Sequence, residues 1–299
     1  MQSNSKPLAI GVGEVLWDLL PAGKQLGGAP ANFAYHAHAL GAEALVVSRV
    51  GDDALGREIL ERLRGLGLRT DGISVDPAAP TGTVNVALDA QGVPNFTIHE
   101  NVAWDLLEAA PAILAEAARA DVICFGTLGQ RHAAARGAIR AVLCSAPASA
   151  LRIFDINLRQ RFYSREVIDD SLRLANVLKL NDAELPVVAR LLDLAGDERA
   201  QLEQLAARYG LRAIALTKGA QGSLLFVALS ADSGTAGRFV SRPAARIKVV
   251  DTVGAGDAYT AALALGLLAG HEPERIQEHA HRVAEFFCTQ PGATPAMPA

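Results

Sequence analysis

Short apolar runs alternate along the chain with longer stretches that have a helical pattern. The runs predict buried strands at Leu8–Val12, Ala44–Val47, Asp121–Phe125, Leu151–Phe154, Val177–Leu180, Ala213–Leu216 and Ile247–Val250. The stretches between them predict helices at Ala29–Leu40, Leu55–Leu66, Ala133–Leu143, Asp197–Tyr209 and Glu274–Phe287. Strands that alternate with helices indicate βα units around a mainly parallel sheet that is covered on both faces.

One segment interrupts this alternation. Thr83–Leu88 and Asn95–His99 are predicted to be two short strands, and Gly92 and Pro94 between them suit a turn. A hairpin does not belong in a parallel succession of βα units, so we expect it beside the main sheet. It is either an edge hairpin without a function or a lid that excludes water from a ligand site.

Composition and charge narrow the function classes. Of the 299 residues half are apolar and a fifth are charged, which is typical of a globular domain. The net charge of −4 and the lack of a basic run disfavour a nucleic-acid partner. Cys124, Cys144 and Cys288 lack the paired spacing of a zinc site or a disulfide framework. Residues 1–7 are polar and no apolar run is long enough to cross a membrane, so we expect a cytoplasmic protein without a membrane partner.

The most specific motif is the run Asp251-Thr252-Val253-Gly254-Ala255-Gly256-Asp257, between a predicted strand and an apolar helix. Gly254, Ala255 and Gly256 are small enough for backbone N–H groups to approach an anion, and a helix N-terminus attracts phosphate. Asp257 opens the helix beside this anion hole, where a carboxylate can accept the proton of an attacking hydroxyl. For a single glycine-rich turn, the alternative is a structural role with Asp257 as a helix cap.

The complete run resembles the signature of the ribokinase-like, or PfkB, family of carbohydrate kinases. A second run, Gly27-Gly28-Ala29-Pro30-Ala31-Asn32-Phe33-Ala34, resembles the other signature of that family. The resemblance covers nearly the whole chain, with the motifs in the order of the family. Two other nucleotide-binding motifs are missing from the sequence. It contains no Walker loop, GxxxxGK[ST], and Gly11-Val12-Gly13 lacks the third glycine of the dinucleotide-binding fingerprint GxGxxG.

The resemblance implies a fold and a set of ligands. The fold is a ribokinase-like three-layer α/β/α structure with a mainly parallel central sheet and a small β-sheet lid. One kinase domain would span residues 1–299, with the lid formed by segments around 14–27 and 81–100. ATP and Mg²⁺ would be the cofactors and a small sugar the substrate. Many relatives also hold K⁺, and the resemblance further suggests a homodimer that forms through the lid.

The resemblance also implies roles for single residues around the reacting groups. Asp257 would be the catalytic base, and the N–H groups of Gly254, Ala255 and Gly256 would form the hole for the developing charge. The sugar-binding positions would be Asp18, Gly28, Asn32, Phe96, Ile98 and Arg159. Without the resemblance, Asp18 and Arg159 would be interpreted as surface side chains and Asn32 as a capping or turn residue.

On the nucleotide side, the implied positions are Asn181, Thr217, Lys218, Gly219 and Gly222. Glu184 would act on Mg²⁺ through water, although Asn181 and Glu184 also have the spacing of a helix-capping pair, and both roles are compatible. Lys218 by itself would be an ordinary surface lysine. Asp251 and Thr252 resemble residues around the monovalent-cation site, which the loop at residues 290–293 would complete.

The substrate is the least determined part of the prediction. The run Asp155-Ile156-Asn157-Leu158-Arg159 resembles fructokinases and 2-keto-3-deoxygluconate kinases more than ribokinase, and the segment at residues 96–105 is similar to the lid of fructokinases. We therefore expect fructose. The main alternative is an acid sugar such as 2-keto-3-deoxygluconate, whose carboxylate Arg159 would suit, or another sugar or nucleoside of the family. From a different class, a catalytically silent sugar-binding regulator would be free to lose Asp257.

Overall fold

The computed structural model describes residues 6–21, 23–88, 94–229 and 237–296. Within these residues the strands, in chain order, are β1 (Leu8–Val12), β2 (Leu16–Leu20), β3 (Gly23–Gly27), β4 (Glu43–Gly51), β5 (Ile73–Asp76), β6 (Thr83–Leu88), β7 (Pro94–Ile98), β8 (Val122–Phe125), β9 (Leu151–Asp155), β10 (Val177–Asn181), β11 (Ala213–Thr217), β12 (Ser223–Ala228) and β13 (Gly237–Arg242). The helices are α1 (Ala29–Ala39), α2 (Ala54–Gly65), α3 (Pro111–Ala117), α4 (Ala133–Ser145), α5 (Arg165–Leu174), α6 (Glu184–Leu192), α7 (Glu198–Tyr209), α8 (Ala255–Leu268) and α9 (Pro273–Cys288). Short 3₁₀ turns lie at Ala103–Leu106, Leu128–Gln130 and Gly219–Gln221.

Nine of the described strands form one large sheet in the order β13-β12-β11-β10-β9-β8-β1-β4-β5. The pairs from β5 to β11 are parallel, and only β12 and β13 are added in antiparallel orientation. Successive residues of a strand point to opposite faces, so Ala9 packs into a core with α1, α8 and α9. Leu8 and Ile10 pack into a second core with α4 to α7. The two cores make the structure a three-layer α/β/α fold, which confirms the predicted fold class.

A separate sheet has the order β3-β2-β6-β7 among the described residues. β6 and β7 are the two strands of the predicted hairpin, and residues 89–93 between them lie outside the described residues. Asp18 on β2 is in register with Val84 on β6, and Val84 faces Ile98 on β7. These three side chains therefore share one face of the small sheet.

The predicted strand at Ile247–Val250 is wrong. Residues 243–250 form no regular element, and Val249 and Val250 are 56% and 58% exposed. The Val250 N–H bonds instead to the Cys288 carbonyl at the end of α9, at 2.8 Å. The apolar run pairs with no strand of the described sheets, and β13 forms the edge of the large sheet on that side.

The described end of the chain packs against α1. Ala293 is buried, and the Tyr35 hydroxyl on α1 donates a hydrogen bond to the Pro295 carbonyl at 2.7 Å. The described part of this segment, to residue 296, thus packs on α1. Among the described helices, none is both long enough and apolar enough to cross a membrane.

Candidate active site

The predicted site residues come from loops at the carboxyl ends of the parallel strands and from the first turns of α1 and α8. Asp155 ends β9 and Asn181 ends β10, while Asn32 lies in α1 and Asp257 in α8. In an open parallel sheet, the carboxyl ends of neighbouring strands meet at one edge, where helix N-termini are also directed. The topology therefore brings residues that are far apart in the sequence to one edge of the main sheet.

The turn before α8 has the geometry of an anion-binding loop. Gly254 has a φ of +78°, and a Cβ at this position would lie 2.9 Å from the Cα of Ala293. Only glycine fits there without strain, because the conformation is left-handed and the C-terminal loop packs against it. Gly256 and Asp257 then lie in the first turn of α8, and their N–H groups have no carbonyl of a preceding helical turn to bond to.

Asp257 is buried beside this turn and has a defined orientation. The Asn32 side-chain amide donates to Asp257 Oδ2 at 2.9 Å. Burial raises the pKa of Asp257 to about 6, and Asp155 adds to the rise, while Asn32, Lys179 and Arg159 oppose it. A carboxyl with this pKa is ionised at neutral pH and remains a better proton acceptor than an ordinary aspartate.

A buried ion pair lies directly beneath the anion-binding loop. Lys179 Nζ is 3.1 Å from Asp155 Oδ1, and Asp155 Oδ2 accepts a hydrogen bond from the Thr260 hydroxyl at 2.9 Å. A Cβ added to Gly256 would lie 3.0 Å from Lys179 Nζ. Burial opposes the charge of Lys179, but Asp155, Glu184 and Asp257 outweigh it and raise the lysine pKa. A full positive charge therefore supports the loop.

Lys179 was not among the predicted site residues. The sequence does contain a signal for it, since a lysine interrupts the apolar strand Val177-Leu178-Lys179-Leu180. A charged side chain in a central strand needs a buried partner of opposite charge. That partner, Asp155, lies on the adjacent parallel strand, and strand adjacency is not readable from the sequence.

On the sugar side of the predicted site, Asp18 lies against the backbone of Gly27. A Cβ at Gly27 would be 2.4 Å from Asp18 Oδ2, so a glycine leaves the room that this carboxyl occupies. Burial raises the pKa of Asp18 to about 6, and the Arg159 guanidinium acts against that rise. Gly28 has a φ of +109°, and a Cβ there would collide with the Glu14 carbonyl oxygen at 2.4 Å.

Arg159 is exposed, and its guanidinium is held by the loop that carries it. It donates to Asn157 Oδ1 at 3.0 Å and to the Leu158 carbonyl at 3.1 Å. Burial raises the pKa of Asp18, Asp257 and Glu14, and the positive charge of Arg159 offsets part of each rise. The structure therefore groups Arg159 with the predicted site residues instead of leaving it on a remote surface.

The two predicted lid residues have different environments. Ile98 is buried in a cluster with Leu16, Val84 and Phe162, whereas Phe96 is 50% exposed. Both lie on the face of the small sheet that carries Asp18, because alternate residues of a strand point to the same face. The Gln160 side chain donates to the Phe96 carbonyl at 2.6 Å, which connects the lid to the loop after β9.

Glu184 and Asn181 form a reciprocal pair at the start of α6. Asn181 Oδ1 accepts from the Glu184 N–H at 2.9 Å, and Glu184 Oε2 accepts from the Asn181 N–H at 2.8 Å. Glu184 Oε1 accepts a further N–H from Leu158 at 2.9 Å. The capping geometry that the spacing allowed is present, and it fixes a buried carboxylate near Lys179 and Asp155.

The predicted nucleotide-side turn follows β11. The Thr217 carbonyl accepts the Asp182 N–H at 2.9 Å, which joins this turn to the loop after β10. Gly222 has a φ of +96°, and a Cβ there would lie 1.9 Å from the Arg242 carbonyl oxygen, so the turn needs a glycine. Lys218 pairs with Glu198 at 2.5 Å, and Gly219 begins the short 3₁₀ turn.

Asp251 connects the anion-binding loop to the C-terminal loop. Its Oδ1 accepts the Val253 N–H and its Oδ2 accepts the Gly292 N–H, each at 3.0 Å. The Thr252 carbonyl accepts the Ala255 N–H at 3.3 Å. The two segments that were predicted to share a cation site are therefore in contact.

The chain is similar in sequence and in fold to known carbohydrate kinases. The sequence profile of the family described as pfkB family carbohydrate kinase matches residues 22–299. A fructokinase from Klebsiella pneumoniae is 29% identical, over 96% of this chain and 95% of that protein. Fructokinase-2 from Solanum habrochaites is 28% identical, over 99% of this chain and 94% of that protein. The crystal structure of a fructokinase from Xylella fastidiosa with bound ATP has a TM-score of 0.83 at 25% identity, over 98% of this chain and 95% of that chain.

Proposed function

Because the chain belongs to the pfkB family of carbohydrate kinases, which makes it an ATP-dependent sugar kinase, we propose that its sugar is fructose. The γ-phosphoryl group of ATP passes to a fructose hydroxyl. Similarity to proteins named fructokinase, over nearly the full length of both chains, supports this choice. The observation that carries it is the charge balance around Arg159.

Three carboxyl groups face one guanidinium at the sugar side of the site. Burial raises the pKa of Glu14, Asp18 and Asp257. The guanidinium of Arg159 offsets only part of this rise. A neutral sugar offers hydroxyl protons to such carboxylates and adds no charge. A sugar acid would bring a further negative charge into a partly buried site that already has an excess of them. The charge balance therefore favours a neutral ketohexose over 2-keto-3-deoxygluconate.

The reaction assigns a task to each group. Asp257 accepts the proton of the attacking hydroxyl while the new O–P bond forms and the bond to the β-phosphate oxygen breaks. The N–H groups of the loop Gly254–Gly256 and the ammonium of Lys179 stabilise the negative charge on the transferred group. Asp18 and Asn32 hold the sugar hydroxyls, and Phe96 covers the sugar from the lid.

The nucleotide side fits a metal ion that ATP brings with it. Mg²⁺ retains much of its water, and when bound it neutralises phosphate charge. Glu184 and Asn181 would hold its hydration shell, because both Glu184 oxygens already accept backbone N–H groups and keep lone pairs for water. The described residues contain no cluster of His, Cys, Asp and Glu that would cage a metal directly, and an outer-shell role for Glu184 is compatible with this.

Two further features of the family are part of the proposal. K⁺ would bind where Asp251 and Thr252 meet the loop at residues 290–293, since this contact is formed. A homodimer would form through the lid, whose sheet is separate from the main sheet. Activity in potassium against lithium salts, and sedimentation of the wild type, test these two points.

The experiment is a measurement of ADP release with a panel of sugars, followed by identification of the phosphorylated product by NMR. We expect the highest kcat/KM with fructose and slow ATP hydrolysis without sugar, because lid closure excludes water. Asp257→Asn is the matched control for contaminating kinases. A higher kcat/KM with 2-keto-3-deoxygluconate would replace fructose by the acid sugar. The absence of ATP turnover with every sugar of the panel would favour the catalytically silent regulator.

A further inference from the structure

The loop after β9 contacts both the lid and the nucleotide side of the site. Toward the lid, the Gln160 side-chain amide donates to the Phe96 carbonyl on β7 at 2.6 Å. Toward the nucleotide side, the Leu158 N–H donates to Glu184 Oε1 at 2.9 Å. The two contacts lie two positions apart in the chain, so one short loop links the small sheet to the start of α6.

The backbone of this loop has a conformation that needs support from its neighbours. Asn157 and Gln160 have φ values of +47° and +46°, in the left-handed region that is uncommon for residues other than glycine. Such a conformation costs free energy and persists only where surrounding contacts hold it. The Thr127 hydroxyl donates to the Asn157 carbonyl at 3.2 Å at one end, and Gln160 bonds to the lid at the other. The shape of the loop therefore depends on contacts on both of its sides.

Two other side chains hold the chain where it leaves β7. Arg131, which is buried, donates to the His99 carbonyl at 2.5 Å, and Arg161, which is exposed, pairs with Glu100. Both of these contacts lie beyond the last residue of the strand. Gln160 differs from them because it contacts a carbonyl within the strand, on the part of the lid that carries the proposed sugar contacts.

We propose that Gln160 is a positioning residue that couples sugar binding to nucleotide binding. Through its bond to Phe96, a sugar under the lid and a nucleotide beside Glu184 stabilise the same conformation of the loop. A ligand that orders the loop from one side lowers the cost of ordering for the ligand on the other side, so each strengthens the binding of the other. The same conformation places Arg159, which lies between the two left-handed residues. The inference rests on the proposed roles of the lid and of Glu184, but not on which sugar is phosphorylated.

The test is calorimetry of sugar binding with and without saturating Mg²⁺ and a non-hydrolysable ATP analogue, in the wild type, Gln160→Met and Gln204→Met. The sugar is the one with the highest kcat/KM in the panel, which we expect to be fructose. Gln160→Met keeps the length of the side chain and removes the donor. Gln204 is the matched control, since it is exposed on α7 and donates to the Ala195 carbonyl at the same distance of 2.6 Å.

In the wild type, the nucleotide analogue should lower the Kd of the sugar at least about fivefold. Gln160→Met should reduce this factor at least about twofold, which corresponds to the loss of one hydrogen bond. By linkage, the sugar should lower the Kd of the analogue by the same factor in each protein. Gln204→Met should retain the factor of the wild type.

A purely structural role of Gln160 would weaken sugar binding equally with and without the analogue, and would leave the factor unchanged. That result would overturn the inference, as would a wild type without any coupling or an equal loss in Gln204→Met. The choice of fructose is tested separately, because the panel identifies the sugar before the coupling is measured. A panel that selects another sugar would refute fructose as the substrate, and the coupling would then be measured with that sugar.

Discussion

Asn32 and Asp257, separated by 225 positions in the sequence, are joined by a hydrogen bond of 2.9 Å from the asparagine amide to Asp257 Oδ2. The two motifs that suggested the family meet at this bond, because α1 and α8 pack against each other in the same core. The bond occupies one carboxylate oxygen of Asp257 and leaves the other free to accept a proton. It also fixes the rotamer of the proposed base, which must be oriented before the sugar arrives.

Replacement of this base should remove turnover while sugar binding is retained. Asp257→Asn keeps the shape and the bond to Asn32 but lacks a proton acceptor, so kcat should fall by at least about 10²- to 10⁴-fold. Steady-state kinetics and calorimetry with fructose measure the two effects. A kcat close to that of the wild type would show that another group accepts the proton.

The same substitution should change the stability of the protein in a pH-dependent way. Burial raises the pKa of Asp257 from 3.8 to about 6, so its ionisation destabilises the fold as the pH rises through that range. A shift of this size corresponds to about 3 kcal/mol. Asp257→Asn should therefore be more stable than the wild type at pH 8, and this advantage should vanish near pH 4. Thermal unfolding at both pH values is the measurement, and an advantage of equal size at pH 4 would contradict the assignment.

The activity of the wild type should depend on the ionisation of Asp257. A general base acts only when it is ionised, so kcat/KM for the sugar, which reports the free enzyme, should decrease as the pH falls below about 6. Measurement of kcat/KM between pH 5 and pH 8 at saturating ATP gives this profile. A profile that stays level down to pH 5 would be incompatible with the raised pKa.

Asp18 should act mainly on sugar affinity. If its carboxylate binds sugar hydroxyls, Asp18→Ala loses charge-assisted hydrogen bonds worth about 1.5–3 kcal/mol each, which raises the Kd for fructose at least about tenfold. Asp18→Asn should retain part of the affinity, since an amide oxygen still accepts a hydrogen bond. Calorimetry that gave the same Kd for all three proteins would exclude Asp18 from the sugar site.

Lys179 should support both the reaction and the fold, and a double variant separates the two. Lys179→Met leaves Asp155 as an unpaired buried carboxylate, which should destabilise the protein by about 3–5 kcal/mol. Asp155→Asn added to it should restore much of the stability, but not the kcat, because the positive charge beneath Gly256 stays absent. If the double variant recovered wild-type kcat, Lys179 would have only a structural task.

The succession of strands and helices is readable from the sequence because apolar periodicity is a local property. α1 was predicted as Ala29–Leu40 and is Ala29–Ala39, and α7 was predicted as Asp197–Tyr209 and is Glu198–Tyr209. The apolar residues at Ile247–Val250 have the same local pattern as a strand, yet they pair with no strand of the described sheets. Periodicity alone cannot distinguish these two cases, since strand formation requires a partner.

The sequence by itself determined the family and predicted the anion-binding loop and the base, because the spacing within one turn dictates which groups lie together. Only the tertiary structure decided which distant groups pair: Lys179 with Asp155, Asn32 with Asp257, and the Gly292 N–H with Asp251. It also decided that Gln160 contacts the lid. Burial and charge pairing depend on contacts between segments far apart in the chain, and no local pattern contains that information.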